Sequence, residues 1–290
     1  MSSETEHDID DVTGIDTTGH AWDGIKELNN PLPRWWLYCL YLTIIWGIGY
    51  SIAYPAWPMI SGATAGLLGY STRGEVAQDI ARFEHANADI SAQLAAADLN
   101  TLVTNEDLNR YAISAGGAVF RNNCSQCHGS GAAGAEGYPN LLDDDWLWGG
   151  DFDNIAYTVR HGIRNEEDWD ARWSEMTAFD EIFSKDEVEA VVQHVLAISG
   201  QPHDAGLADT GSALFLDNCA ACHGDTGTGN RDLGAPNLTD AIWLYGGDAA
   251  AIEETVRYAR FGVMPPWGER LSEAEIKAVT AYVHQLGGGE

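Results

Sequence analysis

Three features of the 290-residue sequence predict a mainly α-helical chain, with one N-terminal transmembrane helix followed by two small tandem helical domains. The pattern Cys-x-x-Cys-His occurs twice, as Cys124-Ser-Gln-Cys127-His128 and, 95 residues later, as Cys219-Ala-Ala-Cys222-His223. The residues around the first copy recur around the second, which marks an internal repeat. A run of twenty uncharged residues, 35–54, precedes both copies.

Each five-residue pattern is a site for covalent haem attachment. Two thiols three residues apart can form thioethers with the two vinyl groups, while the adjacent imidazole takes the iron from one side. The alternative, a zinc site shared by the two Cys pairs, does not explain a His directly after each pair or the long separation. The fifth cysteine, Cys39, lies in the apolar run, so no disulfide framework is expected.

Composition narrows the class further. With 45% hydrophobic residues the chain can build real cores. Asp plus Glu number 44 against 15 Lys plus Arg, a formal net charge of -29. That sign excludes nucleic acid as a natural partner and suits the steering of a basic protein, although it also serves solubility.

Residues 1–34 are polar, with eight acidic residues against Lys26 and Arg34. The first eighteen, rich in Asp, Thr and Ser, are expected to be disordered. The stretch from Trp22 through Pro31 and Pro33 reads as a fixed turn and membrane-proximal linker. Residues 35–57 form the predicted transmembrane helix, since twenty residues of helix span about 30 Å. Trp35, Trp36 and Tyr38 at one end and Tyr50, Tyr54 and Trp57 at the other fit interfacial aromatic belts. A cleaved signal peptide is the competing reading, but the preceding segment is long and acidic rather than short and basic. Because c-type haem is attached outside the cytoplasmic membrane, the N-terminal segment is placed in the cytoplasm of a bacterial cell and everything after about residue 58 in the periplasm.

Residues 58–110 are a periplasmic linker, with a flexible Gly/Ala/Ser stretch at 61–71 and a helix over 75–97. Ile80, Phe83, Ala86 and Ile90 on that helix fall near a 3.6-residue spacing and could face a neighbouring domain. His85 on the same helix is taken as a surface residue.

The two repeats then occupy 111–200 and 201–290. Gly116 and Phe120 lead into the first motif as Gly211 and Phe215 lead into the second. Pro139-Asn140-Leu141 and Trp146-Leu147-Trp148-Gly149-Gly150 return 97 positions on as Pro236-Asn237-Leu238 and Trp243-Leu244-Tyr245-Gly246-Gly247. Near the ends the offset becomes 88, relating Met176, Phe179, Ser184 and Glu187 to Met264, Trp267, Ser272 and Glu275. Ser184 with Glu187, and Ser272 with Glu275, are capping boxes that open amphipathic helices. Each such helix is expected to pack on the Gly/Phe helix of its own repeat and close one haem fold, giving two tandem class I cytochrome c domains.

The chain has four methionines: Met1, Met59, and one per repeat at Met176 and Met264. A thioether opposite His gives a six-coordinate haem of raised potential, fit for passing electrons. Met176 and Met264 are therefore the candidate sixth ligands, falling 48 and 41 residues after His128 and His223. His161, His194 and His284 are the alternative axial ligands. The cofactor-binding set is Cys124, Cys127, His128, Met176, Cys219, Cys222, His223 and Met264, and the iron ligands among them are His128, Met176, His223 and Met264. No catalytic acid, base or nucleophile is singled out.

The stretch Asp23-Gly24-Ile25 to Asn30-Pro31-Leu32-Pro33 ahead of a single span, followed by two haem repeats, resembles the dihaem subunit of cbb3-type cytochrome c oxidase. The Arg231-Asp-Leu233-Gly234-Ala235-Pro236-Asn237-Leu238 loop and the Trp-Leu-Tyr-Gly-Gly block are similar to that family as well. One departure is Met176-Thr177, where the family usually has Pro after Met. The resemblance implies two covalent c-type haems relaying electrons from a donor cytochrome c toward a mono-haem cytochrome subunit. Oxygen would be reduced in a separate haem-copper catalytic subunit. Two other readings fit the haem motifs alone: a free-standing membrane dihaem electron carrier, and a dihaem peroxidase with one iron open to substrate.

Overall fold

The computed structural model describes residues 8–290. The chain divides into two compact units, one ending at His85 and one running from Ala86 to Glu290.

In the first unit, β1 (Thr17–Trp22) and β2 (Ile25–Leu28) form an antiparallel hairpin in which Trp22 faces Ile25 and Ala21 faces Lys26. Its turn is Asp23-Gly24, with φ of 56° and 83°. Asp-Gly tolerates two successive positive φ values, as a two-residue hairpin turn of matching twist requires. The disorder expected over 1–18 does not extend to the described part of that segment, and residues 1–7 lie outside the described residues. Asp8 explains the difference, because its carboxylate accepts from Thr17 Oγ1 and pairs with Lys26 Nζ at 2.8 Å, while Thr17 N–H donates to the Asp8 carbonyl. These local bonds hold a segment too polar to be held by burial.

α1 (Arg34–Ala53) follows Pro33, whose fixed φ suits a helix start. It has a mean hydropathy of 1.4 and no buried residue, so it is apolar all round and long enough to cross a bilayer. The expected flexible stretch after it is instead tied back onto the helix end. Two-residue strands β3 (Pro58–Met59) and β4 (Gly62–Ala63) pair, and Leu67 and Leu68 N–H groups donate to the Ile52 and Ala53 carbonyls. Gly66 makes this approach possible: its φ is +72°, and a Cβ there would sit 2.5 Å from Ala53 O.

α2 (Thr72–Ala96) starts three residues before the expected helix. Its C-terminal end enters the second unit, where Ile90 and Leu94 pack with Leu99, Leu102, Leu108 and Ala112. A short 3₁₀ turn at Leu99–Thr104, capped by Asp98, leads into the repeats.

The second unit builds one helical set twice. α3 (Glu106–Asn123), α4 (Ser125–His128), α5 (Phe152–His161) and α6 (Lys185–Ile198) are followed by α7 (Ala205–Asn218), α8 (Ala220–His223), α9 (Ala249–Tyr258) and α10 (Glu273–His284). Asn105, Asp151, Asp204 and Asp248 cap α3, α5, α7 and α9, and both predicted capping boxes form. Each such cap stabilises its helix by about 1 kcal/mol.

The packing of these helices departs from expectation. The C-terminal helix of each repeat closes the other repeat: α10 packs on α3 and α5, whereas α6 packs on α7 and α9. The crossings are close because they run over glycine. A Cβ on Gly116 would lie 2.0 Å from Ala278 O, and one on Gly211 would lie 1.9 Å from Ala190 O. Chain connectivity gives the reason. Only six residues, 199–204, join α6 to α7, and so short a link makes consecutive helices antiparallel neighbours. With α7 covered by α6, the α3 face is left to α10.

Candidate haem sites

Both Cys-x-x-Cys-His motifs are presented in the same way. α3 and α7 run into the first Cys of each motif, whose N–H still donates to Phe120 O or Phe215 O at 2.8 Å. The Phe side chains, 0% and 1% exposed, anchor those last turns in the core. One short turn follows, in which His128 N–H donates to Cys124 O and His223 N–H to Cys219 O. Gly129 and Gly224, with φ of 79° and 77°, then reverse the chain. The motif is therefore a rigid single turn that brings two thiols and an imidazole toward one apolar space.

Each imidazole is oriented by a carbonyl. His128 Nδ1 lies 3.0 Å from Pro139 O, and His223 Nδ1 lies 3.1 Å from Pro236 O. A carbonyl can only accept, so Nδ1 carries the proton and Nε2 is left with its lone pair free for a metal. Burial lowers both histidines below the ordinary value, opposed by the proline carbonyls, which keeps the rings neutral. Burial also raises the Cys124 and Cys219 thiols to about 11, with a smaller push from Cys127 and Cys222. Such thiols are poor thiolate ligands for a metal ion. All five cysteines are free of disulfides. The role of Pro139 and Pro236 was missed in the sequence, although both stand at the same position of the repeated Pro-Asn-Leu block.

The two methionines fall where the crossed helices put them. A cavity of about 360 Å³ is lined by Cys219, Cys222 and His223 together with Met176, Phe179 and Val191 from the first repeat. Met264 packs instead in the shell that contains Cys124, Phe120 and Val159. Backbone pairing fixes each loop: Met264 and Ile163 exchange two hydrogen bonds of 3.0 Å, and Phe179 N–H donates to Val256 O at 3.1 Å. The sequence spacing assigned Met176 to the first motif and Met264 to the second. The structure places each methionine beside the motif of the other repeat, because each precedes a helix that packs on the other repeat.

The other histidines have different partners. His161 Nδ1 lies 2.9 Å from Asp168 Oδ2, His194 packs against the Phe215 ring, and His284 stacks on Phe152 with centroids 3.7 Å apart. His85 is exposed on α2. The donor set of two thiols, one oriented neutral imidazole and one thioether per apolar shell fits a c-type haem.

Comparison with known proteins agrees with this chemistry. Residues 14–61 match the model described as the N-terminal domain of cytochrome oxidase-cbb3, FixP. Residues 112–195 and 206–283 match that of cytochrome c oxidase, cbb3-type, subunit III. The cbb3-type cytochrome c oxidase subunit CcoP of Cereibacter sphaeroides is 62% identical over 276 residues, covering 94% of this chain and 95% of that protein. The subunit FixP of Bradyrhizobium diazoefficiens is 51% identical over 290 residues, covering 99% and 100%. The FixP of Rhizobium meliloti is 47% identical over the full length of both chains.

Proposed function

The chain belongs to the family of cbb3-type cytochrome c oxidase subunit III, and from that membership we propose that it carries two c-type haems in a membrane-anchored electron relay. It is an electron-transfer subunit of such an oxidase and carries c-type haem. Cys124 and Cys127 would hold one haem and Cys219 and Cys222 the other. The iron ligands are His128 with Met264, and His223 with Met176. The observation that carries this crossed pairing is the placement of each methionine in the apolar shell of the other repeat's motif.

A c-type haem supplies a one-electron iron centre, and the chain sets its properties. Pro139 and Pro236 orient the imidazoles, and the methionines would supply the second protein ligand to each iron, which would raise the potential and shut out substrates. The shells around Phe120 and Phe215 keep water away. α1 anchors the subunit in the bacterial inner membrane, with the N-terminal segment in the cytoplasm and residues after about 58 in the periplasm. The net charge of -29 would draw a donor cytochrome c through a basic face. The acceptors are the mono-haem cytochrome subunit and, beyond it, the haem-copper subunit that reduces oxygen.

The pairing is tested in chains that attach one haem only. With Cys219 and Cys222 both changed to Ala, Met264→Leu should abolish the far-red absorption band of methionine-ligated ferric haem, and Met176→Leu should leave it. With Cys124 and Cys127 changed to Ala, the two substitutions should exchange effects. The opposite pattern would show that each methionine serves its own repeat.

A further inference from the structure

Beyond the two haem shells, the repeats exchange a pair of aromatic rings. Trp148 and Tyr245 hold the same position in the repeat, and each ring ends on a glycine in the other repeat's haem loop. A Cβ on Gly234 would fall 2.2 Å from Trp148 Cε2, and a Cβ on Gly137 would fall 3.2 Å from Tyr245 Cε1. Both glycines sit at positive φ, +58° and +79°, so neither loop can readily accept a side chain there. An arginine packs on each ring as well: the Arg172 guanidinium carbon lies 5.2 Å from the Trp148 centroid, and that of Arg260 lies 4.9 Å from the Tyr245 centroid. These arginines are 88 positions apart, the offset of the C-terminal blocks. The unit of arginine, aromatic ring and foreign glycine is thus built twice, reciprocally.

The loops touched by these rings are the ones that orient the iron-binding imidazoles. Gly137 lies two residues before Pro139, the acceptor for His128, and Gly234 lies two before Pro236, the acceptor for His223. In one direction the contact is also a hydrogen bond, from Gly137 N–H to Leu244 O at 2.8 Å. Leu244 and Tyr245 both line the cavity beside His223. A continuous path therefore runs from the wall of the second site, across that hydrogen bond, through Tyr138 and Pro139, to the imidazole of the first. Packing alone does not account for the choice of side chain. Trp148 is 8% exposed and its Nε1 has no partner among the described residues, whereas an apolar filler would bury no such donor.

We propose that the reciprocal contact of Trp148 on Gly234 and Tyr245 on Gly137 is the junction across which the two haems exchange electrons. It holds the two sites at a fixed separation. One electron leaves the ferrous iron of one site and reduces the ferric iron of the other, and no proton or bond is exchanged. This rests on the two-haem reading above.

Flash or rapid-mixing reduction of the purified oxidase resolves inter-haem transfer when combined with a redox titration of both haems. Trp148→Leu and Gly234→Val should slow that transfer severalfold. In Trp148→Leu, two attached haems, both methionine bands and both midpoint potentials should be retained, whereas a purely structural contact would change stability and leave the rate alone. Trp148→Phe, which keeps a ring against Gly234, should restore most of the rate. If Gly234→Val does not assemble, Trp148→Leu decides the matter by itself. An unchanged rate in Trp148→Leu, with two methionine-ligated haems present, overturns the inference. A haem count of one in the wild-type protein overturns the two-haem reading and, separately, removes the premise of this junction.

Discussion

At the scale of single residues, Asp145 shows what the reciprocal arrangement costs. Its carboxyl is pushed up to about 6 from an ordinary 3.8, first by burial, then by the charges of Asp240 and Asp143, with Asp144 adding to them. Arg231 opposes the shift, but it is already held by Glu290 through two hydrogen bonds of 2.7 and 2.6 Å. Because the folded state raises this pKa, it favours the protonated form. The associated stability is complete below about pH 4 and is lost as pH rises through about 6. Asp145→Asn should therefore make the protein more stable at neutral pH by about 1–2 kcal/mol, less than the shift alone implies because the group is partly solvated. Denaturant midpoints measured near pH 5 and near pH 7.5 check this: the wild type should lose more stability than the variant between the two. Equal losses would mean that Asp145 ionises without penalty. In the sequence this residue is one of three consecutive aspartates and reads as ordinary surface acidity. Its shift depends on Asp240, which only the fold brings near.

At the scale of elements, the helices themselves were legible and their partners were not. The capping boxes gave the starts of α6 and α10, and the Gly/Phe pairs marked α3 and α7 as helices leading into the motifs, because those signals are local. Which helix covers which is not a local property, since α6 and α10 carry equivalent apolar stripes and either could cover α3 or α7. The short 199–204 link held the answer, and its physical meaning is that a helix cannot easily avoid the next helix in the chain. The Asp23-Gly24 turn lies in the stretch that reads as a fixed turn, but the strand before it starts at Thr17, within the residues whose polarity suggested disorder. The two crossing glycines give the packing a sharp test. Gly211→Ala would place a methyl group 1.9 Å from Ala190 O, so α6 and α7 must separate. The cost should be about 2–3 kcal/mol, after the gain of about 1 kcal/mol in helix propensity. Gly116→Ala should behave alike through Ala278. Gly131→Ala, with nothing within 4 Å of its Cβ, should change stability by less than about 0.5 kcal/mol. Chemical denaturation of the three variants gives the comparison, and a tolerated Gly211→Ala would contradict the close α6–α7 crossing.

At the scale of the whole molecule, the crossed closure changes what a domain is in this chain. The repeats at 112–195 and 206–283 are units of sequence, whereas the units of packing draw on both repeats. One gathers α3, α5, α10 and the Met264 loop, and the other gathers α7, α9, α6 and the Met176 loop. Neither contiguous half contains its own closing helix, and residues 86–290 form one compact unit. Melting the first core frees α10 and with it the strand that pairs Met264 to Ile163. It also slackens the 162–184 segment that delivers Met176 to the second core. Arg231 with Glu290 and Gly137 with Leu244 tie the two cores together directly. Independent domains would unfold in two steps, each losing one methionine-ligated haem. Here the two should be lost in one cooperative transition, with the far-red absorption of both haems and the helical circular dichroism falling at the same denaturant concentration. The strongest version of the test weakens one core only. Gly211→Ala lies in the second core, yet it should lower the midpoint for loss of methionine ligation at the first haem together with that at the second. Ligation at the first haem that persists after the second is lost would show that the crossed helices share a scaffold without sharing stability.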